Sequence, residues 1–437
     1  MTLHLPMTLA ERDKQVIWHP FTHQKNMPLP IAITKGKGSL LFDDSNNTYI
    51  DAISSWWVTL HGHAHPYIAE KLYQQALQLE QVIFAGFTHE PAVLLAERLL
   101  PLLSNNFSRI FYSDNGSTST EVALKMAIQY WWNQSKNANE SQKTSRIKIL
   151  AFKDAYHGDT FGAMSVSDRS IFTLAFHDLL FEVVFIDTPT HENIHAIKTT
   201  IQQYANETAA FIYEPLVQGA GGMKMYDAVL MDEVLTTVQQ NNIICIADEV
   251  MTGFGRTGKL FASGYLNNKP DIICLSKGLT GGTMALGVTA CTDKIYNAFV
   301  NDDKLKTFFH GHSFTANPLA CTTALASLDL LLKDDCINKI AWLTESNRQF
   351  AAQLSSNNPS SLVIKNIRTL GTILAFEIVS GKDEYLNNIS TSITQKAMAA
   401  GVYIRPLGNT VYIMPPYCIT EDELNKVYAV LLNIIEP

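Results

Sequence analysis

Two short apolar segments, each ending in a charged residue, constrain the fold of this chain most strongly. Residues 243–247 run Ile-Ile-Cys-Ile-Ala into Asp248, and residues 271–275 lead through Ser276 into Lys277. Apolar runs of about four to eight residues are typical of buried strands. Ligands of an open α/β sheet bind at the carboxyl ends of its strands, so this pattern brings an acid and an amine to one edge. We therefore expect an α/β fold with a ligand site built around these two residues.

Lys277 is the candidate nucleophile of that site. Burial lowers the pKa of a lysine, and such a lysine can form a Schiff base with a carbonyl group. Gly278, Gly281 and Gly282 follow it and allow the backbone to approach a ligand closely. On spacing alone, a surface lysine past a strand end is the commoner explanation. Asp248 shifts the balance, because a lysine and a buried acid are what a protein contributes to pyridoxal phosphate chemistry.

These motifs resemble the signature of a known enzyme family. Residues 248–250, the glycine-rich stretch 253–258 and residues 276–278 resemble those of the class III, fold type I, pyridoxal-phosphate aminotransferases. The resemblance implies a large domain with a mixed, mostly parallel sheet and a smaller α/β domain. It also implies pyridoxal 5'-phosphate as the cofactor and a homodimer with shared active sites.

Four further motifs narrow the resemblance to one branch of the family. Residues 18–22, 55–57, 156–160 and 404–408 resemble the branch that aminates 8-amino-7-oxononanoate in biotin biosynthesis. That resemblance implies S-adenosylmethionine as the expected amino donor. Two alternatives stay open: a class III aminotransferase of another ω-amino acid, and the same acceptor with lysine as donor.

A predicted helix start indicates where a phosphate would bind. Gly116 and Ser117 follow a predicted strand at residues 107–113, and N–H groups at a helix N-terminus bind anions. An ordinary capped helix would show the same pattern. The resemblance implies a phosphate cup here, to which His312 also contributes. It further implies that the hydroxyl of Ser313 completes the cup from the neighbouring subunit.

The resemblance also implies the contacts to the cofactor ring. It places Tyr156 against the cofactor and near the substrate, with a catalytic role beside Lys277 and Asp248. Glu214 would lie near the cofactor's phenolic side, although a purely structural carboxylate is an alternative. His157 can be structural, and we do not expect it to be catalytic.

The substrate contacts implied by the resemblance are Trp56, Phe21, Tyr156, Gly311, Arg405 and Arg256. Phe21 stands where relatives commonly have tyrosine, so it keeps a ring for stacking and lacks the hydroxyl. Arg405 precedes a proline at a predicted strand end, where its guanidinium could bind a substrate carboxylate bidentately. A surface arginine would look the same. Of the adjacent Trp56 and Trp57, the resemblance assigns the first to the substrate side.

The length of 437 residues exceeds that of one usual domain. We expect residues 1–52 to form an N-terminal segment that joins the small domain. Residues 53–329 would form the large cofactor-binding domain and residues 330–437 the C-terminal small domain.

Composition excludes several classes of partner and compartment. The net charge is −8 without a basic run, so we expect neither nucleic acid nor an anionic membrane as partner. Six dispersed cysteines without a C-x-x-C pair predict reduced thiols in the cytoplasm. No secretion signal and no apolar run of about 18 residues is evident. Histidines at positions 61, 63 and 65 have no cysteine or carboxylate close by, so we expect no metal site.

Two other classes of protein are disfavoured. A non-catalytic cofactor-binding protein would not need both Lys277 and Asp248. A nicotinamide dehydrogenase is disfavoured because no G-x-G-x-x-G follows an early strand.

Overall fold

The computed structural model describes residues 7–103, 106–134, 145–357, 364–379 and 389–435. The strands in these ranges are β1 (Ile33–Lys37), β2 (Leu40–Asp43), β3 (Thr48–Asp51), β4 (Phe107–Ser113), β5 (Lys148–Phe152), β6 (Val183–Ile186), β7 (Thr208–Tyr213), β8 (Val217–Gln218), β9 (Lys224–Met225), β10 (Ile244–Asp248), β11 (Ile272–Leu275), β12 (Gly287–Thr292), β13 (Ile364–Leu370), β14 (Ile373–Ile378), β15 (Val402–Tyr403) and β16 (Thr410–Ile413).

The α-helices are α1 (Leu9–Val16), α2 (Ser54–Trp57), α3 (Pro66–Ala76), α4 (Glu90–Leu99), α5 (Gly116–Gln134), α6 (Phe161–Val166), α7 (Ile194–Tyr204), α8 (Ala228–Gln240), α9 (Asp293–Asn297), α10 (Pro318–Leu331), α11 (Asp334–Asn357), α12 (Ile389–Ala399) and α13 (Glu421–Ile435). Short 3₁₀ helices cover Gln24–Asn26, Leu100–Leu102, Leu174–Leu179, Ala262–Tyr265, Lys277–Thr280 and Lys304–Lys306.

The largest sheet in the described residues has the strand order β4-β12-β11-β10-β7-β5-β6. β12 runs antiparallel to both of its neighbours, and the pairs from β11 to β6 are parallel. The predicted α/β fold with a mixed, mostly parallel sheet is therefore confirmed. Asp248 pairs with Cys274 in the register of β10 and β11, so the acid lies close to the strand end that leads into Lys277.

Alternate side chains of the central strands enter two different cores. On β10, Cys245 and Ala247 belong to one buried cluster, whereas Ile244 and Ile246 belong to the other. β11 alternates in the same way. A parallel sheet covered on both faces needs apolar residues at consecutive positions, which explains why these strands read as unbroken apolar runs.

Three smaller sheets accompany the largest one in the described residues, the smallest of which pairs β8 with β9. β3 pairs in parallel with β15, with Ile50 opposite Val402, so the sheet β1-β2-β3-β15 combines an early and a late part of the chain. β13, β14 and β16 form an antiparallel sheet. The boundaries expected after residues 52 and 329 stay a prediction.

Within the described residues, no helix has both the length and the apolar character that crossing a membrane requires.

Candidate active site

A cavity of about 980 Å³ opens at the carboxyl edge of the central sheet. Lys277 and Asp248 line it where β11 and β10 end, and Tyr156, Trp56 and Arg405 line it from outside the sheet. The sheet edge thus brings together residues that lie as far apart as positions 56 and 405 of the chain. As expected, the acid Asp248 and the amine Lys277 lie together at this edge of the sheet.

Lys277 lies at the start of a 3₁₀ helix with a left-handed φ of 46°. Its Nζ lies 4.3 Å from the centre of a Trp57 ring. Burial lowers the pKa of Lys277 to about 8, although the carboxylates of Asp248 and Glu214 oppose the shift. Near physiological pH the neutral form of this amine is therefore far more populated than that of an ordinary lysine, and the neutral form is what a nucleophile or proton acceptor requires.

Asp248 is oriented by His157, a residue that we did not expect to act in the site. His157 Nδ1 lies 2.7 Å from Asp248 Oδ2, and both side chains are buried. The Val250 amide donates to Asp248 Oδ1 at 3.0 Å. Because a carboxylate only accepts, the His157 contact requires a proton on Nδ1. His157 therefore holds the acid in one orientation, a role that its position beside Tyr156 in the sequence did not reveal.

The first turn of α5 forms one end of the cavity. Gly116 and Ser117 are its first residues, and N–H groups in a first turn have no partner within the helix. A Cβ on Gly116 would lie 2.7 Å from Val250 Cγ1, and one on Gly158 would lie 2.2 Å from Ser117 Oγ. A side chain at Gly116 or Gly158 would therefore collide with its neighbours around this turn. With glycine at both positions, the N–H groups at the helix start can bind a phosphate.

Glu214 connects two backbone segments beside the cavity, those of Tyr156 and Gly219. Its Oε1 accepts a hydrogen bond from the Tyr156 amide at 3.1 Å, and its Oε2 accepts one from the Gly219 amide at 2.8 Å. Burial raises the pKa of Glu214 to about 7, and the nearby His157 opposes this shift. Burial also raises the pKa of Tyr156, whose phenol therefore stays protonated.

Aromatic rings surround the outer part of the cavity. The Phe21 ring lies edge-on to Trp56 at 5.6 Å and to Phe172 at 5.9 Å. The Arg405 guanidinium lies 5.2 Å from a Trp56 ring centre. Trp56 is 45% exposed and Trp57 only 4%, so the two indoles divide between the opening and the floor. Phe172 is a lining residue that sequence reasoning missed, since no motif surrounds it.

Arg256 lies outside this cavity, in contrast to the expected substrate contact. Its side chain is 1% exposed. The guanidinium donates to the carbonyl oxygens of Pro415 at 3.0 Å, Thr59 at 3.3 Å and Trp57 at 3.4 Å. Burial lowers its pKa. In this arrangement Arg256 binds two backbone segments, one at Trp57 and Thr59 and one at Pro415, and its donors are directed away from a substrate.

Gly311, His312 and Ser313 also lie outside the cavity formed by their own chain. His312 Nδ1 is 3.5 Å from Asp114 Oδ2, close to the start of α5. The carbonyl of Ser313 accepts a hydrogen bond from Gln81 Nε2 at 2.7 Å. The contribution of these residues to a neighbouring subunit's site stays a prediction.

The cavity residues fit pyridoxal phosphate. Asp248 is a buried acid fixed by His157 and suited to a protonated ring nitrogen. The first turn of α5 suits the phosphate, and Lys277 has the lowered pKa that a carbonyl-binding amine needs. Among the residues that the structure describes, no three His, Cys, Asp or Glu side chains are grouped so that they could hold a metal ion.

Comparison with known proteins agrees with this arrangement. The family described as "Aminotransferase class-III" matches residues 21–435. The adenosylmethionine-8-amino-7-oxononanoate aminotransferase of Synechococcus elongatus is 46% identical over 430 residues, which cover 96% of this chain and 98% of the relative. The same-named protein of Helicobacter pylori is 37% identical and covers 98% of both chains.

Solved structures extend the agreement to the backbone. The crystal structure of adenosylmethionine-8-amino-7-oxononanoate aminotransferase from Methanocaldococcus jannaschii has a TM-score of 0.91 at 33% identity, and 98% of each chain is covered. A PLP-bound amine transaminase from an uncultivated Pseudomonas species has a TM-score of 0.87 at 29% identity, covering 96% of this chain and 98% of that one. The predicted fold type and cofactor are confirmed. This chain therefore belongs to the class III aminotransferase family and is a pyridoxal-phosphate-dependent enzyme.

Proposed function

We propose that this enzyme transfers an amino group to the ketone of 8-amino-7-oxononanoate and forms 7,8-diaminononanoate in biotin biosynthesis. S-adenosylmethionine is the proposed donor. The printed names of relatives that match almost the whole chain support this choice of substrates. The observation that carries the proposal is the placement of Arg405 beside Trp56 in the same cavity as Lys277.

Lys277 is suited to move the proton on which transamination depends. Pyridoxal phosphate, when bound, draws electrons from the carbon that bears the substrate's amino group, so that a proton can leave that carbon. Lys277 Nζ can accept and return this proton because burial lowers its pKa to about 8. The Lys277 backbone lies at the start of a 3₁₀ helix beside the cavity, so the amine stays tethered within reach of the reacting carbon.

Asp248 and His157 supply a fixed negative charge on the cavity floor. The His157 contact at 2.7 Å prevents the carboxylate from rotating away when the charge beside it changes. A preorganised partner of this kind stabilises a transition state without reorganisation. The Tyr156 ring narrows the cavity and excludes water from the reacting atoms.

Arg405 is the proposed partner of the acceptor's carboxylate. That carboxylate is remote from the ketone, and Arg405 lies at the outer, aromatic part of the cavity. A guanidinium can take a carboxylate through two parallel hydrogen bonds. The apolar chain between the two groups would lie along Trp56 and Phe21.

Turnover assays with purified protein test both substrates. We expect 7,8-diaminononanoate, detected by mass spectrometry, when the keto acid is supplied with S-adenosylmethionine. Product formed with lysine and not with S-adenosylmethionine would replace the proposed donor. Transamination of ω-amino acids without any conversion of the keto acid would replace the proposed acceptor and favour the alternative.

Arg405→Ala tests the carboxylate contact. Loss of a bidentate, charge-assisted contact should weaken binding by about 2–4 kcal/mol, which raises the KM of the keto acid roughly 30-fold or more. Arg109→Ala is the matched control, because Arg109 stacks on Tyr296 at 4.5 Å and does not line the cavity. An unchanged KM in Arg405→Ala would show that the carboxylate binds elsewhere.

A homodimer with shared active sites is part of the proposal. Gly311, His312 and Ser313 lie outside their own chain's cavity, between Phe309 and Phe314, which are 74% and 61% exposed. Exposed apolar rings beside residues of a phosphate cup support a subunit interface here. All six cysteines lie in described parts of the chain and are unpaired, which supports the cytoplasm as the compartment.

A further inference from the structure

The segment that carries the two tryptophans has an unusual backbone. Ser54, Ser55 and Trp57 have φ angles of 54°, 60° and 67°, a region that residues with a Cβ rarely adopt. At Ser55 the ψ angle is −99°. Backbone of this kind persists only where the surrounding structure holds it, so the contacts around α2 must include such a restraint.

Asp51 supplies the most direct restraint. Its side chain is fully buried. Oδ2 accepts hydrogen bonds from the Ser55 amide at 2.6 Å and the Ser55 hydroxyl at 3.1 Å, while Oδ1 accepts one from the Ile53 amide at 3.2 Å. One carboxylate therefore fixes the backbone on both sides of Ser54.

His63 in turn fixes Asp51. Its Nε2 lies 2.9 Å from Asp51 Oδ2. The backbone of His63 is tied to Gly38 by two hydrogen bonds of 2.7 and 3.2 Å, and a Cβ on Gly36 would lie 2.5 Å from His63 Cβ. His63 thus packs against β1, and its imidazole contacts the same carboxylate oxygen as the Ser55 amide and hydroxyl.

The restrained segment presents groups to both parts of the cavity. Trp56 faces Arg405 and Phe21 at the opening, and Trp57 faces Lys277 on the floor. Neither Asp51 nor His63 is among the lining residues. These two residues therefore act on the cavity indirectly, and the most direct route is the segment whose amides Asp51 binds.

We propose that Asp51, oriented by His63, is a positioning residue that sets where Trp56 meets the substrate. The substrate part of this inference rests on the proposed function. Without the carboxylate, the Ile53 and Ser55 amides lose their common acceptor and the left-handed residues can relax. Trp56 would then leave its place beside Arg405, and the keto acid would lose the surface on which its apolar chain lies.

The kinetic test is a double-mutant cycle with Trp56. We expect Asp51→Ala to raise the KM of the keto acid about tenfold or more, because a displaced Trp56 no longer contributes its contact. In a Trp56→Ala background the same change should alter KM less than twofold. If Asp51→Ala raised KM by the same factor with and without Trp56, the two residues would act independently and the proposal would be overturned. An unchanged KM in Asp51→Ala would overturn it as well.

Asp232→Ala is the matched control. The Asp232 carboxylate also accepts hydrogen bonds from two backbone amides, those of Asn267 and Asn268 at 2.9–3.0 Å, and it does not line the cavity. It should leave the KM of the keto acid within twofold of the wild type. A matching KM rise in Asp232→Ala would mean that general loosening explains the effect, which overturns the proposal.

Hydrogen exchange in the cofactor-free protein gives a readout independent of turnover. Amides of residues 53–58 should exchange at least tenfold faster in Asp51→Ala and at the wild-type rate in Asp232→Ala. Should Asp51→Ala fail to fold, Asp51→Asn and His63→Gln replace it. Their amides at residues 53–58 should exchange faster than those of the wild type, by less than the tenfold expected for Asp51→Ala. Unchanged exchange in the folded variants overturns the proposal.

If the wild type does not convert the keto acid, the proposed function fails, whereas the exchange comparison still decides the role of Asp51.

Discussion

At the scale of single residues, the chemistry of this protein depends on how burial changes two ionisable side chains. Lys277 and Glu214 line the same cavity, and burial moves the pKa of the amine down to about 8 and that of the acid up to about 7. Both shifts favour the neutral form, as desolvation does. Each group can therefore gain or lose a proton with little cost near neutral pH.

Lys277 should react with amine reagents at an unusually low pH. In the cofactor-free protein, its rate of acylation should rise with pH and reach half of its maximum near pH 8, because only the neutral amine reacts. Lys148 is the matched control, since the hydrogen bonds that it donates to Glu207 and Glu182 raise its pKa. Competitive labelling followed by peptide mass spectrometry measures both rates. A midpoint for Lys277 near that of an ordinary lysine would contradict the lowered pKa.

Asp248 and His157 should differ in the size of their effects on catalysis. Asp248→Asn removes the charge itself and should lower kcat by roughly 10²–10³-fold, as removal of a preorganised electrostatic partner does. His157→Ala removes one hydrogen bond to that charge, which corresponds to roughly 10–100-fold. His195→Ala, at an exposed site on α7, is the control and should have no effect. A His157→Ala enzyme with wild-type kcat would show that Asp248 needs no support.

At the scale of elements, Arg256 shows how a buried cation can be structural. Its guanidinium joins the carbonyls of Trp57, the last residue of α2, and Thr59 to that of Pro415 after β16. It also lies 5.1 Å from the Tyr417 ring centre. The glycine-rich stretch after β10 therefore reaches the segment that carries Trp56 through this one side chain.

Arg256→Ala should lower stability more than it changes substrate specificity. Three buried carbonyls would lose their donor, and unsatisfied buried acceptors each cost about 1–3 kcal/mol. We expect a clear fall in the thermal unfolding temperature of the cofactor-free protein. Arg348→Ala, which removes an exposed arginine paired with Glu345, should leave that temperature unchanged. A raised KM for the keto acid at wild-type thermal stability would restore Arg256 as a substrate contact.

The strands around the site were predictable, and the long-range contacts were not. Residues 107–113, 243–247 and 271–275 were expected as strands from their apolar runs, and the structure has them as β4, β10 and β11. The spacing of apolar residues and the local composition indicate secondary structure only within a short window of the chain. The His157–Asp248 pair spans 91 residues, and no local pattern encodes which histidine reaches which acid.

Arg256 is a second example of a long-range contact that the local sequence does not reveal. The glycine-rich stretch at residues 253–258 is part of the family resemblance, which implies that Arg256 contacts the substrate. Whether a side chain enters a cavity depends on what packs behind its backbone. Here Tyr417 and the carbonyl of Pro415 come from the far end of the chain, and they hold the guanidinium away from the cavity.

At the scale of the whole molecule, the shared active site is the main prediction. Ser313→Ala should weaken cofactor binding by about 1–2 kcal/mol, the value of a hydrogen bond to a charged group. In heterodimers with Lys277→Ala, a hydroxyl that acts across the interface leaves one site with both changes and one site with neither. We expect these heterodimers to regain wild-type cofactor affinity in half of their sites, measured at a cofactor concentration that leaves the Ser313→Ala homodimer largely empty. No regain after confirmed subunit exchange would show that each chain builds its own site.

The joining of β3 to β15 has a consequence for how the protein is made. Trp57 donates from Nε1 to the Tyr412 hydroxyl at 2.8 Å across 355 residues, and the Met414 amide donates to the Ala52 carbonyl. A ribosome adds roughly 5–20 residues per second, so the partners of the tryptophan segment emerge roughly 20–70 s after it. Asp248 contacts His157 and the Val250 amide, both of which emerge much earlier than Tyr412. Each new molecule therefore has the acid and the histidine proposed to hold its cofactor before the late residues that hold the surface proposed to select its substrate.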